Sequence, residues 1–274
     1  MNIDTNNLNE NDNSEYFIYI KTVQSIAFKI LVEALKEILT DINLEFDKNG
    51  IKIQSLDSSR TVLVYLTLDA ENFETYYCES KKIIGVNTLN LFKLIKTMNN
   101  NDTLSLYLTK DDISQLGILI ENGEKNSQTT YNLNLIDIDE QDINIPDLEF
   151  NSIITIPSND FQKLLRDAHN ICDVIEIISI NNQLTFNLTG DWCTQQTIIG
   201  ESESTGLSYI QQVDKTEITQ GRYSLKYLIL FTKATNLSSS VELYLKNDYP
   251  LILKYSIANL GSIKLALAPL CSVD

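Results

Sequence analysis

The two halves of this 274-residue sequence repeat one pattern of helices and strands. In the first half, residues 25–39 place apolar side chains at helical spacing, and residues 44–54 alternate around an Asn-Gly turn that is typical of a hairpin. The second half has a helix after Ser158 and a hairpin at 176–190. We expect Ser25 and Ser158 to cap these two helices. The pattern predicts an α+β fold of two similar domains per chain, with helices packed on antiparallel sheets.

Each half also contains a second predicted helix, at 88–98 and at 222–236, which is followed by further strands. The predicted order in a half is strand, helix, three or more strands, helix and three more strands. The first helices and hairpins of the two halves align at an offset of 133. At an offset of 137, Lys96 falls on Lys233. The two halves therefore represent one architecture that is used twice.

Composition shifts predict the domain boundaries. We expect residues 16–135 to form the N-terminal domain and residues 151–274 the C-terminal domain. Residues 136–150 carry six acids, no base and one proline, which is typical of an extended interdomain connector. Residues 1–15 are rich in asparagine and lack aromatic side chains, so we expect a disordered tail.

Several classes of protein are excluded by what the sequence lacks. No stretch approaches the ~20 apolar residues of a membrane helix, and the polar N-terminus is unlike a signal peptide, so we expect a protein without membrane partners that is not secreted. Nine glycines form no GxG motif, which argues against a nucleotide-binding loop. Four distant cysteines and one histidine lack the spacing of a metal site or of a disulfide framework. We therefore expect no cofactor, no metal, no catalytic residues and no enzymatic activity.

The net charge of −16 argues against nucleic-acid binding unless the basic residues are concentrated on one surface. Each of the four predicted helices carries two basic residues, three or seven positions apart and opposite its apolar face. These residues are Lys29, Lys36, Lys93, Lys96, Lys163, Arg166, Lys226 and Lys233. Exposed helix faces also carry lysine without a function. Four pairs in four helices of an acidic protein nevertheless favour a surface that binds phosphates non-specifically.

Five segments carry a resemblance to a known family. They are LVEALKEILTDINLEFDKNGIKIQSLDSSRTVLVYLTL at 31–68, FETYYC at 73–78, GVNTLNLFKLIK at 85–96, LFTKATNLSSSVEL at 230–243 and LALAP at 265–269. Over residues 16–270 the chain resembles the eukaryotic DNA sliding clamp, proliferating cell nuclear antigen. The resemblance implies a head-to-tail homotrimeric ring, in which helices line a central channel and antiparallel sheets form the outside.

The resemblance implies a DNA polymerase processivity factor. Such a ring encircles duplex DNA non-specifically and tethers DNA polymerase and other replication and repair proteins. The channel-facing bases of the family match the eight basic residues named above. A separate ATP-driven clamp loader would open the ring. The implied location is the nucleus, or the viral replication compartment if the source is a virus.

The resemblance also implies two kinds of protein contact. A partner peptide would dock at Leu56, Ile143, Ile145, Pro250, Ala268 and Pro269. Subunits would meet at sheet edges near 115–121 and 194–200, through Gln115, Gly117, Ile118, Leu119, Thr194, Thr197, Ile198 and Ile199. Two positions depart from the family. Ala266 replaces an aromatic residue, which predicts a weaker or altered aromatic preference of the groove, and Asn181 replaces a lysine that is used for ubiquitin-type modification.

Two alternatives remain compatible with the residues. One is a checkpoint-type clamp subunit, which would share the fold but assemble with different chains into a hetero-oligomeric ring. The other is a monomeric DNA polymerase accessory factor that grips DNA without closing a ring. The mass in solution distinguishes them, because only the homotrimer has three times the 31.1 kDa of one chain.

Overall fold

The computed structural model describes residues 15–139, 143 and 148–270. The predicted tail (apart from residue 15), Ile145 and Cys271 lie outside the described residues, so the structure does not test these predictions. The described strands are β1 (Tyr16–Thr22), β2 (Asp41–Asp47), β3 (Gly50–Leu56), β4 (Val62–Asp69), β5 (Thr75–Cys78), β6 (Lys82–Asn87), β7 (Asp102–Thr109), β8 (Gln115–Asn122), β9 (Ser127–Asn134), β10 (Ser152–Pro157), β11 (Val174–Ile180), β12 (Gln183–Thr189), β13 (Thr194–Gly200), β14 (Ser208–Gln212), β15 (Thr219–Ser224), β16 (Ser240–Leu245), β17 (Leu251–Ile257) and β18 (Gly261–Leu267). The described α-helices are α1 (Ser25–Ile38), α2 (Thr88–Ile95), α3 (Ser158–His169) and α4 (Leu225–Phe231).

Each half of the chain runs strand, helix, five strands, helix and three strands. This order confirms the predicted repeat and the antiparallel α+β architecture. The boundaries at 135 and 151 stay predictions, because the ladders do not separate the two halves. Seven residue pairs, from Val62 and Leu267 to Leu68 and Gly261, join β4 of the first half to β18 of the second half.

The strands form three antiparallel sheets. Their orders are β5-β1-β7-β8-β9, β14-β10-β16-β17-β18-β4-β3-β2-β6 and β13-β12-β11-β15. Because successive side chains alternate between the two faces of a strand, one face of each central strand is apolar and buried. On β4 the buried residues are Val62, Val64, Leu66 and Leu68, while the residues between them face outward.

The four helices form one layer on the buried faces of the sheets. Contacts run from α2 to α1, from α1 to α4 and from α4 to α3. The helices bury apolar side chains at three- and four-residue spacing, as Phe161, Leu165 and Ala168 show on α3. Within the described ranges, no helix is long and apolar enough to cross a membrane.

Three details of the predicted helices are wrong. Ser25 does not cap α1, because its buried hydroxyl donates a hydrogen bond of 2.6 Å to the carbonyl oxygen of Asp102 and so ties the helix to β7. Ser158 is buried after the N-cap residue Pro157 and makes no capping bond. The helix that was predicted at 222–236 begins only at Leu225, because the preceding residues pair with β11, and it continues as a 3₁₀ helix at Thr232–Leu237.

Candidate functional site

Six of the eight predicted basic residues are exposed on the helix layer. They are Lys93, Lys96, Lys163, Arg166, Lys226 and Lys233. On α3, Lys163 and Arg166 lie opposite the buried Phe161 and Leu165, as the helical spacing predicted. Because the helices contact one another side by side, these cations occupy one surface of the subunit.

The other two predicted bases are partly buried and already engaged. The ammonium of Lys29 donates a hydrogen bond of 2.9 Å to the carbonyl oxygen of Met98. The ammonium of Lys36 pairs with the carboxylate of Glu37 and lies 4.9 Å from the ring centroid of Phe92. These two lysines would have to exchange a hydrogen bond or an ion pair for a phosphate. Among the described residues the exposed six form neither, although the ammonium of Lys226 lies 5.5 Å from the ring centroid of Tyr227.

The charge of the helix layer is opposite to that of the whole chain. The helix layer comprises the four helices, the C-cap residue Lys96 that follows α2, and the 3₁₀ extension of α4. Together they carry eight bases against four acids. The acids are Glu33, Glu37, Asp160 and Asp167. The chain as a whole carries 21 bases against 37 acids. The layer is therefore a local positive surface on an acidic protein, which is suited to a phosphate backbone.

A cleft of about 460 Å³ lies on the outer face of the long sheet, under the connector. Its floor is formed by outward side chains of β3, β4, β18 and β17, and its roof by connector residues. The lining residues are Lys52, Gln54, Leu63, Tyr65, Ile143, Leu148, Phe150, Ile252, Lys264 and Ala266. The amide of Gln54 donates a hydrogen bond to the carbonyl oxygen of Ile143, which anchors the connector over the floor.

Among the predicted docking residues that the structure describes, only Ile143 lines this cleft. Leu56 is partly buried and pairs on the sheet with Leu63, which is a lining residue. Pro250 precedes the floor strand β17, and the exposed Ala268 and partly buried Pro269 follow β18. Their part in docking stays a prediction.

Sequence reasoning missed most of the floor. Leu63 pairs with Ala266, and Ala266 pairs with Ile252, so an apolar row crosses β4, β18 and β17. The small side chain of Ala266 keeps the centre of this row open. The available signal was the alternation on β4, where Leu63 and Tyr65 stand between buried residues and must face outward.

A tight turn between β3 and β4, beside this cleft, contacts helix α4 of the second half. The Asp57 carboxylate accepts hydrogen bonds from the backbone N–H groups of Thr61 at 2.7 Å and Val62 at 2.8 Å. Burial by itself would raise the pKa of Asp57, but hydrogen bonds from Ser59, Val62 and Thr61 hold the pKa below its usual value. The Ser59 hydroxyl lies 2.9 Å from that of Tyr227 on α4, so this turn, which includes the run LDSSR at 56–60, is a structural link.

The predicted sheet edge at 115–121 is wrong. Strand β8 pairs with β7 on one side and with β9 on the other, and Ile118 and Leu119 are buried. Gln115 and Gly117 belong to the same central strand. The edge strands of this sheet are β5 and β9, and the residues of β9 are mostly exposed and polar. The second predicted edge, β13 with Thr194, Thr197, Ile198 and Ile199, does lie at the edge of its sheet.

Hydrogen bonding at the strand ends shows which backbone groups of these edges are free. In an antiparallel ladder, the backbone N–H and C=O groups of successive residues point alternately towards and away from the partner strand. The N–H of Leu135 bonds to the carbonyl oxygen of Ser114 at 2.9 Å, so the backbone groups of residues 128, 130, 132 and 134 point away from β8. The N–H of Gly190 bonds to the carbonyl oxygen of Cys193 at 2.9 Å, which turns residues 194, 196, 198 and 200 away from β12. Each edge thus offers four outward residues.

Two family models match consecutive parts of the chain. They describe the N-terminal domain of proliferating cell nuclear antigen, at residues 18–143, and its C-terminal domain, at residues 144–270. The chain belongs to the proliferating cell nuclear antigen family. This confirms the resemblance and the clamp fold that the sequence indicated.

A curated relative and a solved structure agree with this membership in the proliferating cell nuclear antigen family. The chain is 40% identical over 265 residues to "Probable DNA polymerase sliding clamp 1" of Paramecium bursaria Chlorella virus 1, which covers 95% of this chain and all of the relative. It is also similar to the crystal structure of the proliferating cellular nuclear antigen of Entamoeba histolytica. That likeness has a TM-score of 0.85 and 26% identity, and covers 93% of this chain and all of that chain.

Proposed function

We propose that this protein is a DNA sliding clamp, a ring of three subunits that encircles duplex DNA and tethers DNA polymerase. The observation that carries the proposal is the single layer of four helices with exposed cations on an otherwise acidic chain. In a ring with the helices inside, this layer lines the channel. The ring itself changes no covalent bond and acts where DNA is replicated, in the nucleus or in a viral replication compartment.

The cations of the channel suit sliding because they carry no sequence information. Lysine ammonium groups on flexible side chains bind phosphate oxygens as exchangeable point charges. Contacts that read base edges would hold the clamp at preferred sequences. Affinity for DNA is therefore weak, independent of sequence and steeply lowered by salt.

The repeat predicts how the ring closes. In the sheet orders, β9 is the repeat equivalent of β18, and β13 is the equivalent of β4. Strands β18 and β4 pair within the chain, whereas β9 and β13 have free edges. We infer that β9 of one subunit pairs antiparallel with β13 of the next, so that each subunit junction repeats the junction inside the chain.

The same equivalence predicts the register of that junction. The second helices of the two halves align at an offset of 137, and the strand pairings that follow them match Tyr131 on β9 with Leu265 on β18. The hairpins align at an offset of 133, and their pairings match Gln195 on β13 with Val64 on β4. Leu265 pairs with Val64 within the chain. Tyr131 therefore lies opposite Gln195 of the next subunit. This register also aligns the outward groups of both edges, because it places Thr130 opposite Gln196.

The cleft under the connector is the proposed site for partner proteins. It combines an apolar floor with the connector side chains Ile143, Leu148 and Phe150, which suits an extended peptide with aliphatic and aromatic anchors of the type Gln-x-x-aliphatic-x-x-aromatic-aromatic. Burial of a few apolar side chains at ~25 cal/mol per Å² offsets the ordering of the peptide and leaves moderate affinity. DNA polymerase, the ATP-driven clamp loader and repair proteins can then exchange on one ring.

Topological retention on DNA tests the proposal. Protein is incubated with linear DNA that has free ends, the ends are blocked, and the sample is washed with high salt. A threaded ring is retained only on the end-blocked DNA, and light scattering gives a mass of about 93 kDa, three times that of one chain. A monomer with equal retention on blocked and unblocked DNA would support the accessory factor instead. A chain that trimerises only with other subunits would support the checkpoint-type clamp.

A further inference from the structure

One end of the cleft under the connector is basic and aromatic. The Tyr65 ring stands on β4 between two lysines, with the ammonium of Lys52 at 5.5 Å and that of Lys264 at 6.0 Å from its centroid. The three side chains come from β3, β4 and β18, and all three face the cleft and are partly buried. Two positive charges are thus held beside one aromatic ring.

Neither ammonium has an anionic partner among the residues that the structure describes. Across the described residues, Lys52 and Lys264 form no ion pair, whereas Lys254 on the neighbouring strand β17 pairs with Glu242 at 3.1 Å. What distinguishes these two lysines is that they are partly buried and converge on one aromatic ring inside a cleft. An anion placed between them would gain two attractive contacts and reduce the repulsion between the two cations.

We propose that Lys52 and Lys264 bind an acidic side chain of the peptide that docks in the cleft. This inference rests on the proposed docking function. The apolar anchor of the peptide fills the end of the cleft at Leu63, Ala266 and Ile252. Tyr65 is two residues from Leu63 along β4, a distance of about 6.6 Å in a strand. An aspartate or glutamate two or three positions from the apolar anchor of an extended peptide therefore reaches the two lysines.

The overall charge of the protein makes this preference distinctive. A net charge of −16 and six acids in the connector favour basic peptides through the general field. Preference for an acidic peptide can come only from a local positive site. The lysines would thus distinguish partners that share the same apolar anchors but differ in the charge beside them.

The test uses three synthetic peptides that share the sequence Gln-Ser-Thr-Leu-Ser-Ser-Phe-Phe. They differ only in the residues that flank this shared sequence. The positions two and three residues before it and after it carry glutamate in the first peptide, glutamine in the second and lysine in the third. Binding to the trimer is measured by calorimetry at low and at physiological salt. We expect the glutamate peptide to bind about threefold to tenfold more tightly than the glutamine peptide, since two partly exposed ion pairs are formed.

Variants assign the preference to the two lysines. In the double variant Lys52→Gln and Lys264→Gln, the glutamate and glutamine peptides should bind equally, while the affinity for the glutamine peptide stays within twofold of that of the unmodified protein. The double variant Lys52→Glu and Lys264→Glu should prefer the lysine peptide. The matched control is Lys246→Gln, which removes a lysine 4.7 Å from the ring of Tyr249 outside the cleft and should leave the preference unchanged.

The outcomes separate this inference from the docking proposal. If the glutamine peptide binds but the glutamate peptide gains nothing, or if its gain survives in the double glutamine variant, the acidic-partner inference is overturned and docking stands. If none of the three peptides binds the unmodified trimer, the docking proposal itself is overturned and this inference with it.

Discussion

Replacement of Thr130 by proline should convert the trimer into folded monomers. Thr130 is exposed on β9 and its N–H points away from β8, so the proline removes no hydrogen bond within the subunit. At the subunit junction it removes one ladder bond, and its ring prevents the close approach needed for a neighbouring bond. At about 0.5–1.5 kcal/mol for each hydrogen bond, the loss is about 1–3 kcal/mol per junction. This corresponds to a dissociation constant about 5- to 150-fold higher.

Light scattering across a dilution series measures this effect. The unmodified protein should keep a mass of about 93 kDa to lower concentrations than the variant, which should fall towards 31 kDa. Thr130→Ala keeps the N–H and should remain trimeric. Tyr131→Pro instead removes an N–H that faces β8, so it should lower the melting temperature of the subunit. A Thr130→Pro trimer that dissociates at the same concentration as the unmodified ring would refute β9 as the contact edge.

A cysteine pair tests the register of the same junction. Residues that face each other without hydrogen bonds in an antiparallel ladder have Cα atoms about 4.5 Å apart, which is within the range of a disulfide. Tyr131→Cys together with Gln195→Cys should therefore give a covalent trimer on oxidation. Each single variant should stay uncrosslinked on a denaturing gel. Crosslinking of Tyr131→Cys with a cysteine at Thr197 in place of Gln195 would show that the register is shifted by two residues.

Three further expectations concern other parts of the molecule. Lys163→Glu with Lys233→Glu should markedly lower the affinity for DNA at low salt and keep the trimer mass, whereas Lys29→Gln should have a smaller effect, because its ammonium already bonds within the subunit. The single tryptophan, Trp192, is 74% exposed just before β13, so its fluorescence should shift to shorter wavelength on assembly and stay at long wavelength in the monomeric variant. Asp57→Asn should lower the melting temperature by a few degrees at pH 7. Because the folded-state pKa of Asp57 is lowered, its stabilisation is present above the unfolded pKa and is lost as the pH falls through the folded pKa, so the difference between variant and unmodified protein should shrink in acid.

The exposed part of the basic surface could be predicted from the sequence because helical periodicity is local. Once Phe161 and Leu165 are placed inward, Lys163 and Arg166 must point outward. The internal contacts of Lys29 could not be predicted in the same way. Its partner Met98 belongs to a turn 69 residues away, and only the packing of α1 beside α2 brings the two together.

The error at the sheet edge has a physical cause. The resemblance implied an edge at 115–121, and the run Leu-Gly-Ile-Leu-Ile at 116–120 agreed with it in being β-prone and uncharged. An apolar run without alternation is instead typical of a strand covered on both faces, which is a central strand. The neighbouring strand at 127–134 is mostly polar and exposed, and one side of its backbone is unpaired. Polar side chains of this kind keep an exposed edge strand soluble until it pairs.

The floor of the cleft could be predicted only strand by strand. Alternation on β4 indicates that Leu63 and Tyr65 face outward, but their neighbours come from β18, about two hundred residues along the chain. The juxtaposition of Leu63 with Ala266, and of Tyr65 with Lys264, depends on how the two halves of the chain join. No local pattern specifies that register.

The acidic surface and the basic layer act together. A ring with positive charge on every surface would bind DNA from outside and compete with its own channel. With 37 acids against 21 bases in the chain and an excess of bases on the helix layer, the outer surface as a whole repels DNA and leaves the channel as the place where a duplex is stabilised. Salt weakens both effects together, because each depends on exposed charges. The two outward lysines beside Tyr65 are then too few to attract a duplex, but they are sufficient to select an acidic side chain that apolar contacts have already placed beside them.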